Sequence, residues 1–248
     1  MAITIKSEEE IKIMAEGGKI LATVLSEVEK MVKPGITTLE LDRAAEALIL
    51  KHGAKPGFKN YEGFPFSLCA SVNEDIVHGF PSGRVLYEGD VIGLDLGVYY
   101  KDYYSDMSKT IAVGKISFEA KRLLDVTKKC LRLGIKKVRP GNTIGDIGNT
   151  IQRFAEDQGY GVVRELCGHG IGKELHEDPK IPNYGKRGEG AKLEEGMVIC
   201  IEPMLTMGDY HLKTAKDGYG YATKDGSLSA HFEHTIAVTK NGAKILTE

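Results

Sequence analysis

The feature that most restricts the fold of this 248-residue chain is a pattern that occurs twice. Residues 33–53 read KPGITTLELDRAAEALILKHG, and residues 139–159 read RPGNTIGDIGNTIQRFAEDQG. Pro34, Gly35, Thr37 and Gly53 thus recur as Pro140, Gly141, Thr143 and Gly159, all at an offset of 106. Next, EGDVIGLDLG (88–97) aligns with EGMVICIEPM (195–204) at an offset of 107, which lays Asp95 on Glu202. Finally TIAV recurs at 110–113 and 235–238, with Asp106 shortly before the first copy and Glu233 before the second. A repeat that keeps chain order predicts one domain over 1–248 made of two halves, about 7–113 and 117–240. Each half reads helix, helix, then strands. If the halves pack about a pseudo-twofold axis, the four mapped acids meet at its centre.

Local signals fill in this plan. Ser7 with Glu10, and Thr37 with Glu40, are capping boxes that open helices. The first helix should run to about residue 31, with Gly17 and Gly18 marking a place where another backbone packs closely. The second should run to about residue 52, with Gly53 as its C-terminal cap. Corresponding helices are expected over 117–138 and from Thr143 to about residue 158. Residues 54–67 read as a loop, and 68–72 and 76–78 as short extended pieces. Residues 91–98 and 103–112 read as strands. A two-residue turn at Tyr100 and Lys101 would set Asp95 directly opposite Asp106, with Cβ atoms ~5 Å apart. Like charges so placed repel unless a cation lies between them.

The rest of the composition excludes several classes. Net charge is −2, and no run of Lys or Arg stands out, which argues against nucleic acid as the main partner. The four cysteines, Cys69, Cys130, Cys167 and Cys200, form no C-x-x-C pair. That fits a reducing compartment better than a disulfide scaffold or zinc ribbon. No signal-peptide pattern and no 18-residue apolar run is present, so a soluble cytoplasmic protein is expected.

Asp95, Asp106, Glu202 and Glu233 together carry a formal charge of −4, which two divalent cations would cancel. Glu202 follows the apolar run 198–201, so burial is expected, and a buried four-acid cluster without cations must take up protons or open. His169 supplies a nitrogen donor in CGHGIG, where the flanking glycines permit close approach. Four carboxylates and one imidazole suit Mn, Fe(II) or Co better than a tetrahedral zinc site. Two such ions ~3.5–4 Å apart could serve a hydrolysis. His78, at the end of an extended piece, and His176, seven residues after His169, could polarise a carbonyl or hold a leaving amide. His52 reads as helix C-terminal, favourable with the dipole. His211, His231 and His234 have no setting that assigns them a role.

At this point the motif set is recognisable. VNEDIVHGFP, DLGVYYKDYYSDMSKT, GHGIGKELHEDP, IEPM and HFEHTIAVT, in this order over nearly the whole chain, resemble the type I methionine aminopeptidases of bacteria. The resemblance implies an α+β pita-bread fold, two divalent metal ions and removal of the initiator methionine from nascent chains with a small second residue. It implies Asp95, Asp106, His169, Glu202 and Glu233 as metal ligands. In it Asp106 and Glu233 bridge both ions, Asp95 holds one, and His169 and Glu202 hold the other. Glu202 would also shuttle protons for a metal-bound hydroxide that attacks the scissile carbonyl. His176 would contact that carbonyl, and His78 the next peptide nitrogen. Tyr61, Phe64 and Cys69, with Phe58 nearby and Tyr219 on the wall, would form the methionine pocket.

Two departures bear on that pocket: Leu175 stands where many relatives carry an aromatic residue, and Tyr219 where a Trp is common. The 31 residues from Glu202 to Glu233 leave no room for the helical insertion of the type II class. The N-terminal extension of eukaryotic type I forms is also absent from the sequence. Proline-directed peptidases of the same fold, which carry an extra N-terminal domain, are the nearest rival. A metal-free pita-bread module that only binds peptides is another, though such relatives lose ligands. A monomer acting on emerging N-termini is expected, with Lys213, Lys216 and Lys224 as a weak ribosome contact and no membrane partner.

Overall fold

The computed structural model describes residues 2–248. Four helices form where the capping signals lie: α1 (Glu8–Glu29), α2 (Thr38–Lys51), α3 (Phe118–Ile135) and α4 (Ile144–Asp157). Ser7, Thr37 and Thr143 each accept from the backbone N–H three residues on, and Glu10, Glu40 and Asp146 reach back to complete capping boxes. The helices stop one to three residues earlier than the apolar pattern suggests, as frayed ends do. Gly53 and Gly159 take positive φ, 75° and 83°, after their helices. A Cβ on Gly18 would lie 2.2 Å from the Leu246 carbonyl oxygen, so the C-terminal backbone crosses α1 where the glycine pair breaks its apolar face. The loop 54–67 contains a two-residue strand, Lys55–Pro56, and a single 3₁₀ turn, Tyr61–Gly63.

All strand pairing is antiparallel. In the first half, the strand Val91–Tyr100 pairs with Leu68–Val72 and Lys55–Pro56 on one side and with Tyr103–Ala112 on the other. In the second half, a five-stranded sheet runs in the order Gly242–Ile245, His234–Thr239, Val198–Ile201, Gly168–Gly170, Glu177–Ile181. The two sheets meet where residues 105–110 run beside 231–235. There Asp106 N–H donates to Thr235 Oγ1 (2.9 Å), and Glu233 N–H donates to the Ser108 carbonyl (2.9 Å). Helices α1 and α2 bury Leu21, Leu25, Leu41 and Ile49 against Leu94, Leu96 and Val98. Helices α3 and α4 bury Leu123, Leu131, Ile147 and Ile151 against Ile199, Ile201 and Ile236. Each such fully buried side chain contributes roughly 1.5–3 kcal/mol. The seam between these two cores carries the polar groups.

One expectation is corrected here. The hairpin turn is Lys101–Asp102, with φ of 47° and 69°, rather than Tyr100–Lys101. A tight hairpin turn needs positive φ at both central residues, and Asp tolerates that better than Tyr, whose ring stays in the ladder. Asp95 therefore faces Ser108, and Asp106 faces Gly97. The acids are diagonal neighbours instead of direct partners. Because the side-chain period is two, this shift keeps both on the same face of the hairpin.

Candidate metal centre

Five elements bring the acids together. Asp95 and Asp106 lie within the hairpin, Glu202 directly follows the strand Val198–Ile201, and Glu233 directly precedes His234–Thr239. His169 sits in the short strand Gly168–Gly170. Its glycine neighbours are required by contact: a Cβ on Gly168 would lie 2.3 Å from the Cys200 carbonyl oxygen, and one on Gly170 2.2 Å from that of Asp178. Only glycine lets this strand lie so close to both neighbours.

All five side chains are buried. Oxygens of Asp95, Asp106 and Glu233 lie within 4.8 Å of one another. His169 Nε2 stands 4.0 Å from Asp106 Oδ2 and 3.7 Å from Glu202 Oε1. The other ring nitrogen, Nδ1, is 2.8 Å from the Gly170 carbonyl oxygen, to which it can only donate. That fixes the tautomer and leaves a lone pair on Nε2 aimed into the acid cluster, the arrangement a metal ligand needs. Cys200 Sγ falls within 4.8 Å of ligand atoms of His169 and Glu233. Burial, then Glu233 and Asp106, push that thiol well above its ordinary range, so it stays neutral.

The electrostatics are those of a cluster built for cations. Burial pushes Asp95 up to about 6. Asp106 is pushed well above its usual value by burial and then by Glu233, Asp95 and Glu202. Glu202 rises through burial and Asp95, and Glu233 through burial, Glu202 and Asp95. Burial and then His176 drive His169 down to about 3. Asp95 Oδ1, Asp106 Oδ1 and Glu233 Oε1 are buried with no hydrogen-bond partner. Unpartnered carboxylate oxygens around one point fit divalent cations, which invert the local pKa ordering.

The same cavity is lined by every side chain that the sequence singled out for the site: Phe58, Tyr61, Phe64, Cys69, His78, His176 and Tyr219 join the five above. The apolar part is an aromatic nest. Phe64 packs edge-on to Phe58 and Phe80 and tilts against Tyr219, with centroids 6.4, 5.4 and 5.7 Å apart. Tyr219 stacks on Phe80 at 4.8 Å, and Leu175 is buried in the same cluster. Asp217 accepts from the backbone N–H groups of Phe80, Tyr219 and Gly220, which ties the two wall segments together. His78 occupies a left-handed conformation, φ 58°, uncommon for a residue with a side chain, and burial lowers it to about 4. His176 opens to solvent at the cavity mouth. The protein packed round the rest of its ring lowers its pKa, and its Nδ1 lies 3.2 Å from the Tyr61 hydroxyl.

Sequence reasoning passed over His231 and Phe80. His231 is buried beside Glu202 and Glu233. The available signal was its place two residues before Glu233, since residues i and i+2 of an extended chain share a face. It also passed over the buried pair Lys6 Nζ–Glu177 Oε2 (2.7 Å), which ties the N-terminal segment to the residue after His176.

A buried acid cluster with one oriented imidazole, at the floor of an aromatic cavity in paired antiparallel sheets, defines a metal-dependent hydrolase centre. The chain belongs to the metallopeptidase family M24, whose sequence profile matches residues 12–240, and it has that family's pita-bread fold. It is 50% identical over 246 residues to the methionine aminopeptidase of Clostridium acetobutylicum, covering 99% of this chain and 98% of that one. To methionine aminopeptidase 1 of Bacillus subtilis it is 47% identical, covering 99% of each. The crystal structure of methionine aminopeptidase from Thermotoga maritima superposes over the whole of both chains with a TM-score of 0.98 and 43% identity. The prolidase from Pyrococcus furiosus gives 0.80 at 27% identity, covering 98% of this chain and 65% of its own. Among the described residues, no helix is long and apolar enough to cross a membrane.

Proposed function

We propose that this chain is a methionine aminopeptidase that removes the initiator methionine from peptides and nascent proteins with a small second residue. The observation that carries this is the joining of an acid cluster with unpartnered oxygens to a narrow aromatic and thiol-lined cavity. Full-length relatives at 45–50% identity bear the same name. Two divalent ions, Mn, Fe(II) or Co, would be held by Asp106 and Glu233 jointly, by Asp95 on one side, and by His169 and Glu202 on the other. When bound, they supply Lewis acidity and lower the pKa of the attacking water.

The chain's own residues do the rest. Glu202 accepts the proton of the attacking water and passes it to the departing amine. In this reading the Tyr61 hydroxyl, 3.2 Å from His176 Nδ1, serves as its donor, which leaves Nε2–H of a neutral ring to donate to the scissile carbonyl oxygen as charge builds there. His78, also neutral, holds the next peptide nitrogen. Phe58, Tyr61, Phe64, Cys69 and Tyr219 enclose an unbranched thioether, for which a polarisable apolar wall is well suited. Charged first residues would be desolvated there without a partner. We further assign residues 1–248 to one catalytic domain with two related halves, acting as a cytoplasmic monomer on emerging N-termini. Its own start, Met1-Ala2, has the substrate pattern; Met1 lies outside the described residues.

A peptide panel varying the first two residues, run with Mn, Fe(II) and Co under anaerobic conditions, tests the assignment. Met-Ala-x should give the highest kcat/KM, and Leu-Ala-x should trail. One branch or methylene in an apolar pocket is worth only ~1–3 kcal/mol. Faster cleavage of Leu-Ala-x or x-Pro peptides would overturn the methionine assignment and, for x-Pro, favour the prolidase reading.

A further inference from the structure

His231 is the one imidazole deep in the acid cluster that this mechanism leaves unused. It ends the strand Ser229–His231 and is 2% exposed. Its backbone is clamped from both sides: His231 N–H donates to Thr110 Oγ1 (2.8 Å), and Thr110 Oγ1 donates to the His231 carbonyl (2.8 Å). The ring therefore springs from a fixed point on the seam between the sheets. Its Nε2 has no hydrogen-bond partner and lies 3.5 Å from Glu202 Oε2 and 4.0 Å from Glu233 Oε2.

Glu202 is thus bracketed by two imidazoles, one at each oxygen. Oε1 lies 3.7 Å from His169 Nε2, and Oε2 lies 3.5 Å from His231 Nε2. The first imidazole presents a lone pair, because its Nδ1 donates to Gly170. The second faces Glu202 and Glu233, whose oxygens are acceptors once metal ligation ionises them. With Glu202 ionised, a lone pair there would set acceptor against acceptor, whereas an N–H satisfies both buried groups.

We propose that His231 is a positioning residue for Glu202: its Nε2–H donates to Oε2 and holds the carboxylate with Oε1 turned toward His169. The assignment rests on the reading of Glu202 as metal ligand and proton shuttle. Glutamate has one more rotatable bond than aspartate, and Glu202 lies beyond the last residue of its strand, so the backbone alone does not orient its carboxylate. A partner at one oxygen removes that freedom. A second-layer hydrogen bond of this kind typically carries 10–100-fold in metal affinity or activity.

Four variants and two readouts test this. His231→Leu and His231→Asn, the latter polar but too short to reach, should lower kcat for Met-Ala-Ser roughly 10–100-fold. KM should change less than kcat, since Nε2 faces Glu202 and Glu233 at the acid floor of the cavity. His231→Gln, whose amide N–H can reach Oε2, should recover most of kcat. Calorimetric titration of the metal-free proteins with Mn(II) should keep a stoichiometry of two, with one site weakened in the Leu and Asn variants and restored in Gln. Wild-type kcat and Mn(II) affinity in His231→Leu would overturn the proposal. Loss of one Mn(II), or a Gln variant as impaired as Leu, would overturn it too, since His231 would then be a ligand. Glu202→Gln separates the two layers: if it remains active, the reading of Glu202 itself has failed. If it is inactive while His231→Leu is unimpaired, only the positioning role has.

Discussion

The two halves of the chain deliver their acids by different means. Asp95 and Asp106 lie inside a hairpin with ten paired positions and a two-residue turn. Glu202 and Glu233 lie just past the last paired positions of their strands, His234 with Ile201, and stand 31 positions apart in the chain. The regular ladder carries the short side chain, and the frayed ends carry the long one. Where backbone register already fixes Cβ, aspartate reaches the centre without added freedom. Where it does not, glutamate supplies reach, and neighbours supply order: Asn183 Nδ2 donates to the Glu202 carbonyl (2.9 Å), and Ser108 O receives the Glu233 N–H. The long excursion between the glutamates is put to use. It returns His231 to the cluster and sends Tyr219 to the cavity wall. The first half is thus the rigid template, and the second is the adjustable one.

The largest expected effect breaks the template. Chelation should abolish activity, and Mn or Fe(II) should restore it. Asp106→Ala should then cost more than Asp95→Ala, because the bridging role proposed for Asp106 would make it serve both ions. Both losses should exceed the roughly 10–100-fold typical of supporting residues. Steady-state kinetics with metal content by mass spectrometry reads this, and full activity in a verified metal-free sample would end the metal assignment. Next comes the mouth of the cavity. His176→Ala should lower kcat by roughly 10²-fold or more, with KM changed less and metal content unaltered. A variant that instead arrives without metal would move His176 into the ligand set.

A smaller effect compares the halves through pH. Asp95 rises from 3.8 to about 6 on folding, and Asp106, Glu202 and Glu233 also rise. A carboxyl with a raised folded pKa binds its proton more tightly in the folded state, so stability falls as pH increases. Urea titrations of the metal-free protein should show falling stability from about pH 4 through about 6 and beyond, and saturating Mn(II) should remove the decline. A flat metal-free profile would contradict the buried cluster. The smallest effect concerns the excursion's outer face. Lys213, Lys216 and Lys224 are exposed, and Lys216 lies 3.9 Å from Glu74. Replacing all three by Glu should weaken ribosome co-sedimentation and flatten its salt dependence by about one unit of slope per lost phosphate contact. Unchanged co-sedimentation would remove that contact, leaving catalysis untouched.

Much of this was legible beforehand, for identifiable reasons. Capping boxes and a Pro-Gly stop are local chemistry, so the helix starts could be read residue by residue. The four acids stood out because repetition placed them in register, and the imidazole because glycines flank it. The hairpin register was not legible to the residue, since Tyr100–Lys101 and Lys101–Asp102 differ only in which side chain tolerates positive φ. The Lys6–Glu177 pair was missed because its partners lie far apart along the chain, and His231 because the extended stretch that gives it the parity of Glu233 was not read as a strand. Nothing near Lys6 in sequence announces Glu177, 171 positions away.

What the sequence determined by itself is the chemistry: which residues carry charge, which faces are apolar, where helices begin, and the parity that keeps Asp95 and Asp106 on one side. Those follow from side-chain type and from periods of two and 3.6, which are properties of a chain segment alone. Only the tertiary structure decided that the two sheets join at residues 105–110 and 231–235. It alone set the His169 tautomer against the Gly170 carbonyl and left carboxylate oxygens without partners. Those outcomes depend on desolvation and on contacts between distant segments, and neither exists until both cores have closed around the seam.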